Sequence, residues 1–143
     1  MKPYQHVLIA LDLSDYSEQL MKRAMELCET LGGSVSVVHV VEPIPAYSFG
    51  YLGVEDLEEQ VSKHATESVK RFAKTHHLAD SQCHVMHGST KHEIGKFIEE
   101  QKVDLLMVGS HSRHGVQVLL GSTANALMHV ATCDVLSVRL SEE

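Results

Sequence analysis

Apolar residues follow two patterns that alternate along the chain. Short runs rich in apolar and β-branched residues predict strands. These runs are His6–Asp12, Ser34–Val41, Gln82–Gly88, Val103–Gly109 and Asp134–Leu140. Between them, apolar residues recur every three or four positions and predict helices. In the first helix they are Leu20, Ala24, Leu27, Cys28 and Leu31, and in the second they are Val54, Leu57, Val61, Ala65, Val69, Phe72 and Ala73.

The predicted helices carry recognisable start and stop signals. The pairs at Asp15–Glu18 and Thr90–Glu93 have the spacing of a capping box, in which two side chains satisfy free N–H groups at a helix start. The second of these opens a helix with Ile94, Phe97 and Ile98 turned inward. Gly32 and Gly33 are typical of a helix end. A last helix is predicted over about Ser122–His129.

Strict alternation of strands and helices predicts an α/β fold. Each strand must return to the sheet by a right-handed crossover, which gives a doubly wound parallel sheet with helices on both faces. The continuous apolar runs His6–Asp12 and Val103–Gly109 suit central strands that are buried on both sides. With 143 residues and no internal repeat, we expect one domain over residues 1–143.

Composition narrows the functional classes. The net charge is -7, with 19 acidic and 12 basic residues and no cluster of lysine and arginine. This argues against nucleic-acid partners and anionic membrane surfaces, which need a concentrated cationic patch. No apolar stretch approaches the roughly 18–20 residues of a membrane span, and the start shows no secretory signal. The three cysteines are read as reduced thiols, so a cytoplasmic location is expected.

A ligand is expected where the strand order of the sheet reverses, beyond the carboxyl ends of its strands. If the first and fourth strands are adjacent, the two walls of that crevice are Ala10–Ser14 and Gly109–Gly115. The helix that starts near Gly121 would direct its free N–H groups at the crevice and form an anion site. The glycine-lysine motif of P-loop NTPases and the glycine motif of Rossmann dehydrogenases are both absent.

The chain has 11 histidines, which raises the question of a metal site. The densest group is His84, His87 and His92 with Cys83, but His84 and His87 lie three apart on a strand and so face opposite sides. Solvated surface histidines explain this group better than zinc, which needs four convergent ligands.

Three positions in the crevice admit both a ligand role and a structural one. His111 and His114 could help to hold a phosphate when charged, or could belong to a merely polar loop. Asp12 could bond a ribose hydroxyl, or could cap the next turn with Ser14. No Ser-His-Asp, Cys-His or paired-carboxylate catalytic arrangement can be placed from the sequence.

Several blocks of the chain resemble the universal stress protein A family. They are "HVLIALDLSDYSEQLMKRAMELC", "SVVHVVE", "VDLLMVGSHSRHG" and "LLGSTANALMHVATCDVLSVR", and together they cover nearly the whole chain. The resemblance implies a five-stranded, Rossmann-like sheet in the order 3-2-1-4-5. It also implies a cytoplasmic stress-response protein that forms a homodimer through its last strand, Asp134–Leu140. Pairing of that strand with a second copy would protect an exposed sheet edge, which supports the dimer independently.

The same resemblance points to an adenine-nucleotide site. Family members that bind ATP resemble G-x2-G-x9-G-[ST]. In this chain the first glycine is Gly109 and the last pair is Gly121-Ser122, but the middle glycine is replaced by Ser112 and the following segment has eight residues instead of nine. A serine is strained where a glycine has positive φ, and a lost residue moves the loop by up to ~3.5 Å. Gly115 could supply the close approach instead. The positions that resemble the nucleotide site are Ala10, Asp12, Val40, Val108, Gly109, Ser112, Gly115, Gly121, Ser122 and Thr123.

Three functions follow as hypotheses. The leading one is a cytoplasmic, homodimeric stress-response module that binds or signals without efficient catalysis and requires no cofactor. The alternative is a sensor that binds ATP or AMP with Mg²⁺ and hydrolyses or transfers phosphate slowly at Gly109–Thr123. The third is a pure interaction protein that uses the aromatic loop Glu42–Gly53.

Overall fold

Five strands and four helices alternate along the part of the chain that the structure describes. The computed structural model describes residues 3–44, 54–111 and 122–141. The strands are β1 (His6–Ala10), β2 (Ser34–Val41), β3 (Cys83–His87), β4 (Leu105–His111) and β5 (Asp134–Leu140). The helices are α1 (Ser17–Leu31), α2 (Val54–Thr75), α3 (Thr90–Glu100) and α4 (Ser122–Val130), and a short 3₁₀ turn, Asp80–Gln82, precedes β3.

The strands form one parallel sheet in the order β3-β2-β1-β4-β5, as predicted. The central strand β1 pairs with β2 from His6↔Ser34 to Ala10↔Val38. On its other side, β1 pairs with β4 from Val7↔Leu105 to Ile9↔Met107. The order reverses between β1 and β4, so the crevice of a doubly wound sheet lies at their carboxyl ends.

Two apolar layers cover the two faces of the sheet. Val7 and Ile9 of β1 point into one layer with Leu20 and Met21 of α1, whereas Leu8 points into the other with Ile94 of α3. This alternation follows from the period of two along a strand, and it confirms that β1 is buried on both sides. Leu127 of α4 belongs to the second layer, so α3 and α4 cover the same face.

The start of α1 differs from the predicted capping box. The helix begins at Ser17, and the N-cap residue Tyr16 makes no side-chain cap. The preceding turn is held by Asp12 and Ser14 instead, because Asp12 Oδ1 accepts from the Ser14 N–H at 2.9 Å and the Ser17 N–H donates to the Ser14 carbonyl. The Asp15–Glu18 prediction was therefore wrong.

Other element boundaries move by one or two residues. The cap of α3 is Ser89, whose hydroxyl accepts from the His92 N–H, so the Thr90–Glu93 prediction was also wrong. Strand β4 begins at Leu105 because the Val103 N–H still donates to the Ile98 carbonyl of α3. The helix stop at Gly32 is confirmed, with φ of 77°.

One residue assigned to the inner side of α2 is exposed. Val61 is 38% exposed, whereas Ala65, Val69 and Ala73 of the same predicted stripe are buried. Among the described side chains of this stripe, full burial therefore begins at Ala65.

Candidate functional site

A cavity of about 210 Å³ lies at the carboxyl ends of β1, β2 and β4. Five of the predicted site residues line it together: Ala10, Asp12, Val40, Val108 and Gly109. Its other described walls come from α1, α3, α4 and the strand ends, and they include Tyr16, Leu20, His39, Glu42, Thr90, Ile94, His111, Ala124, Leu127 and Leu140. Because Ala124 and Leu127 contribute, the first turns of α4 reach the cavity.

The remaining predicted site residues belong to the segment between β4 and α4 and to the first two positions of α4. Ser112, Gly115 and Gly121 lie outside the described residues, as does His114. Ser122 and Thr123 form the start of α4, although their side chains are outside the description. The glycine loop as a whole therefore remains a prediction.

Asp12 serves the local turn and also faces the cavity. Its Oδ1 accepts from the Ser14 N–H at 2.9 Å and from the Ser17 hydroxyl at 3.3 Å. Partial burial raises the pKa of the carboxyl, but the hydrogen bonds from Ser14 and His111 outweigh it and hold the pKa below its usual value. Asp12 is thus a carboxylate at neutral pH, with its side chain 57% exposed.

His111 links the fourth strand to Asp12 across the crevice. Its Nε2 lies 3.6 Å from Asp12 Oδ2, a distance typical of a loose ion pair when the ring is charged. Its ring stacks on Tyr16 with centroids 4.3 Å apart and planes 16° apart. Sequence reasoning placed His111 in a loop, but it is the last residue of β4. Its Nδ1 is buried without a hydrogen-bond partner among the described residues.

The backbone of β2 opens toward the crevice just beyond its pairing with β1. The last bond between the two strands runs from the Leu11 N–H to the Val38 carbonyl at 2.8 Å. The Leu11 carbonyl then accepts from His39 Nδ1, also at 2.8 Å. After that the chain turns away from β2, with Leu13 at a φ of 58°.

The groups left open belong to Val40. Backbone groups of alternate residues on a strand point to the same side. The backbone carbonyl of Val38 points toward β1, where it accepts from the Leu11 N–H. The backbone carbonyl of Val41 points toward β3, where it accepts from the Gly88 N–H. The N–H and C=O of Val40 therefore face the crevice, and no bond joins either group to the described part of β1. Sequence reasoning named Val40 but missed His39, which is its immediate neighbour.

Gly109 has a structural role in addition to its position in the cavity. A Cβ added at Gly109 would lie 2.7 Å from Leu140 Cδ1 and 3.5 Å from Leu20 Cδ2. Gly109 is inside β4, paired with Val138, and its φ is not positive. The missing side chain makes room for Leu140 of β5 in the core.

The histidines and cysteines outside the cavity do not converge. His84 packs against Phe97 with ring centroids 5.0 Å apart, whereas His87 Nε2 lies 2.8 Å from Ser62 Oγ on the other side of the sheet. Within residues 3–44, 54–111 and 122–141, no group of three or more metal-ligating side chains comes together. The three cysteines are free thiols, and burial raises their pKa values.

The crevice and sheet order define a class of small α/β protein, and sequence comparison identifies the family. The model of the Universal stress protein family matches residues 3–139, so the chain belongs to this family. It is 36% identical over 142 residues to Universal stress protein A homolog 1 of Coxiella burnetii, covering 97% of this chain and 99% of the relative. It is 35% identical over 143 residues to homolog 2 of the same organism, covering 98% of each.

Solved structures show the same fold. The universal stress protein UspA from Lactobacillus plantarum superposes with a TM-score of 0.78 at 17% identity, covering 97% of this chain and 100% of that one. A universal stress protein crystallised in complex with cAMP gives a TM-score of 0.61 at 22% identity, covering 96% and 98%. None of the described helices is long and apolar enough to cross a membrane.

Proposed function

We propose that this universal stress protein binds an adenine nucleotide, such as AMP or ATP, in the cavity between β1, β2 and β4, and acts by binding rather than by efficient catalysis. The observation that carries the proposal is the open backbone edge of Val40. An N–H and a C=O side by side match the adjacent acceptor N1 and amino donor N6 of adenine. The relative crystallised with cAMP supports an adenine ligand for this fold.

The walls around that edge suit a flat apolar ring. Ile94, Val108 and Leu127 line the cavity and are buried on the face covered by α3 and α4. Small-molecule sites combine apolar walls of this kind with a few placed polar groups that fix orientation. Ala10 lies at the end of β1, where its small side chain leaves room for the ring.

Asp12 is the proposed partner of the ribose. Its Oδ1 is engaged by Ser14 and Ser17, whereas the contact of Oδ2 among the described residues is that of His111 at 3.6 Å. Because the pKa of Asp12 is lowered, the group is ionised and accepts strong hydrogen bonds from hydroxyl groups. The ligand and structural readings of Asp12 are therefore compatible, since different oxygens serve them.

The phosphates are proposed to lie toward the start of α4. Among the described cavity residues the charged carboxylates are Asp12 and Glu42, and lysine and arginine do not contribute. Phosphate would be repelled there, so the N–H groups at the start of α4, with the Ser112–Thr123 segment, are the proposed anion site. Mg²⁺ would reduce the repulsion for ATP, whereas AMP would need it less.

Titration with nucleotide tests whether the chain binds AMP or ATP. Purified chain is first assayed by mass spectrometry for co-purified nucleotide and then titrated calorimetrically with AMP and with ATP and Mg²⁺. We expect binding near one per chain. Asp12→Asn keeps the oxygen that holds the Ser14 N–H but removes the charge, so it should weaken binding by about tenfold. Asp15→Asn, an exposed neighbour, is the matched control. No heat at millimolar nucleotide would refute the proposal.

We also propose a homodimer, formed by residues 1–143 as one domain in the cytoplasm. Strand β5 pairs with β4 on one side and lies at the edge of the described sheet. Pairing with β5 of a second copy would satisfy its outer backbone groups symmetrically. Light scattering at micromolar concentration should give twice the chain mass, and a monomeric mass would refute the dimer.

Slow hydrolysis or self-phosphorylation remains the alternative use of the same site. It predicts labelled product after incubation with ATP and Mg²⁺, in proportion to bound nucleotide. The aromatic loop of the third hypothesis, Glu42–Gly53, lies largely outside the described residues. Replacement of Tyr47, Phe49 and Tyr51 together, followed by a pull-down, tests that hypothesis without affecting the cavity residues named above.

A further inference from the structure

The imidazole of His39 donates to a backbone carbonyl that, in a regular parallel sheet, would accept from a backbone amide. In such a sheet, the N–H of a residue donates to a carbonyl on the neighbouring strand. The carbonyl of the same residue accepts from the N–H that lies two positions further along that neighbouring strand. Leu11 donates to Val38, so its carbonyl would next accept from Val40. Instead, that carbonyl accepts from His39 Nδ1 at 2.8 Å.

We propose that His39 is a positioning residue that ends the pairing of β1 with β2 one bond early and so keeps the Val40 edge open for the nucleobase. The inference rests on the proposed nucleotide function for its consequence, but its structural part stands on the contacts of the free chain. His39 also lines the cavity, beside the edge that it opens.

The bond defines the form of the ring. A carbonyl oxygen only accepts, so the hydrogen of the neutral imidazole must be on Nδ1. The other nitrogen, Nε2, has no hydrogen-bond partner among the described residues. This is the rarer of the two arrangements that a solvated histidine adopts, and it gives the proposal a spectroscopic signature in the free protein.

Two substitutions separate the bond from the shape of the ring. His39→Phe keeps a flat ring but removes the donor. The Leu11 carbonyl would then be left unsatisfied and would take the next amide, that of Val40. His39→Asn keeps an N–H near the position of Nδ1 and should preserve the parent arrangement. His87→Phe, at the end of the neighbouring strand β3, is the control, because its ring contacts Ser62 rather than the backbone.

The first measurement is amide hydrogen exchange at Val40 by NMR on the full chain without ligand. We expect exchange about tenfold slower in His39→Phe than in the parent, and unchanged in His39→Asn and His87→Phe. The nitrogen shifts of the parent ring should show hydrogen on Nδ1. Equal Val40 exchange in the parent and His39→Phe, or hydrogen on Nε2 in the parent, would overturn the proposal, and the second result does not depend on any variant folding.

The second measurement is the affinity ratio of AMP to IMP, determined for each protein by titration. IMP exchanges the donor and acceptor on the base edge, so in the orientation proposed for adenine it sets donor against donor and acceptor against acceptor at Val40. The parent should prefer AMP by at least about tenfold, His39→Phe should lose that preference, and His39→Asn should restore it. A merely stabilising histidine would change the melting temperature without changing this ratio. If amide exchange at Val40 changes as expected but neither the parent nor any variant binds AMP or IMP, the proposed nucleotide function is refuted while the positioning role of His39 is upheld.

Discussion

Gly109→Ala tests whether the first glycine of the family's nucleotide motif serves the core of this chain. The new Cβ would lie 2.7 Å from Leu140 Cδ1, closer than carbon atoms approach without repulsion. Leu140 is 3% exposed and lines the cavity, so relief of this contact requires its packed side chain to change rotamer or to turn into the cavity. Overpacking of this kind costs about 1–3 kcal/mol, and removal of a strand glycine returns about 0.5–1 kcal/mol. We expect the free energy of unfolding to fall by roughly 0.5–2 kcal/mol.

Urea unfolding of two further variants identifies the cause. Leu140→Val removes the colliding atom and should itself cost about 1 kcal/mol. In that background Gly109→Ala should be neutral or stabilising, because the collision is gone. Gly95→Ala on α3 is a matched control, since its Cβ would meet Val130 Cγ2 at an ordinary 3.9 Å. This control should gain about 0.5–1 kcal/mol from helix propensity.

Two results would refute the steric reasoning. One is an equal loss of stability from Gly109→Ala in the parent and in Leu140→Val, since distant effects add whereas contacts do not. The other is a Gly109→Ala chain with unchanged stability and abolished nucleotide binding. That outcome would place the requirement for glycine on the ligand side of β4.

Three further measurements address the caps and the titrating groups. Ser89→Ala should lower the free energy of unfolding by about 1 kcal/mol, and Thr90→Ala should change it by less than about 0.5 kcal/mol, in paired urea titrations. Burial and repulsion by His6 lower the pKa of His84, so the folded chain binds that proton less readily than the unfolded chain, and stability is lost as pH falls below about 6.5. His84→Gln should therefore show a smaller fall in melting temperature from pH 7.5 to 5.5, and an equal fall would contradict this assignment. Because the pKa of Asp12 is lowered, its contribution to stability should be lost only below about pH 4. Asp12→Asn should remove this pH dependence.

The sheet could be predicted from the sequence because its determinants are local and periodic. Strand-length apolar runs separated by helical ones leave few topologies once right-handed crossovers are required. The same logic placed Asp12 at the edge where the carboxyl ends of parallel strands meet, and the family resemblance added Val40 and Val108. The structure brings all three to the cavity.

What could not be predicted depends on contacts between distant parts of the chain. The cap of α1 was wrongly assigned to Asp15, whereas the Asp12–Ser14 turn before the helix was among the alternatives that the sequence offered. The role of His39 is invisible in the sequence, because its partner Leu11 is 28 residues away. The β4 boundary was set two residues early because Val103 is as apolar as the strand that it precedes.

Gly109 and the open backbone edge of Val40 together explain how the fold can keep its crevice while the sequence of the loop after β4 changes. Gly109 is required by Leu140, a core contact that is independent of any ligand. The Val40 edge is opened by His39 and Leu11, which lie on β2 and just beyond the end of β1, outside the altered loop. We therefore expect the replacement of the middle glycine by Ser112 and the loop shorter by one residue to affect the phosphate side of the proposed site. A chain of this kind should retain selectivity for adenine while its preference between AMP and ATP changes with the loop, and the titrations above with AMP, IMP and ATP measure both properties.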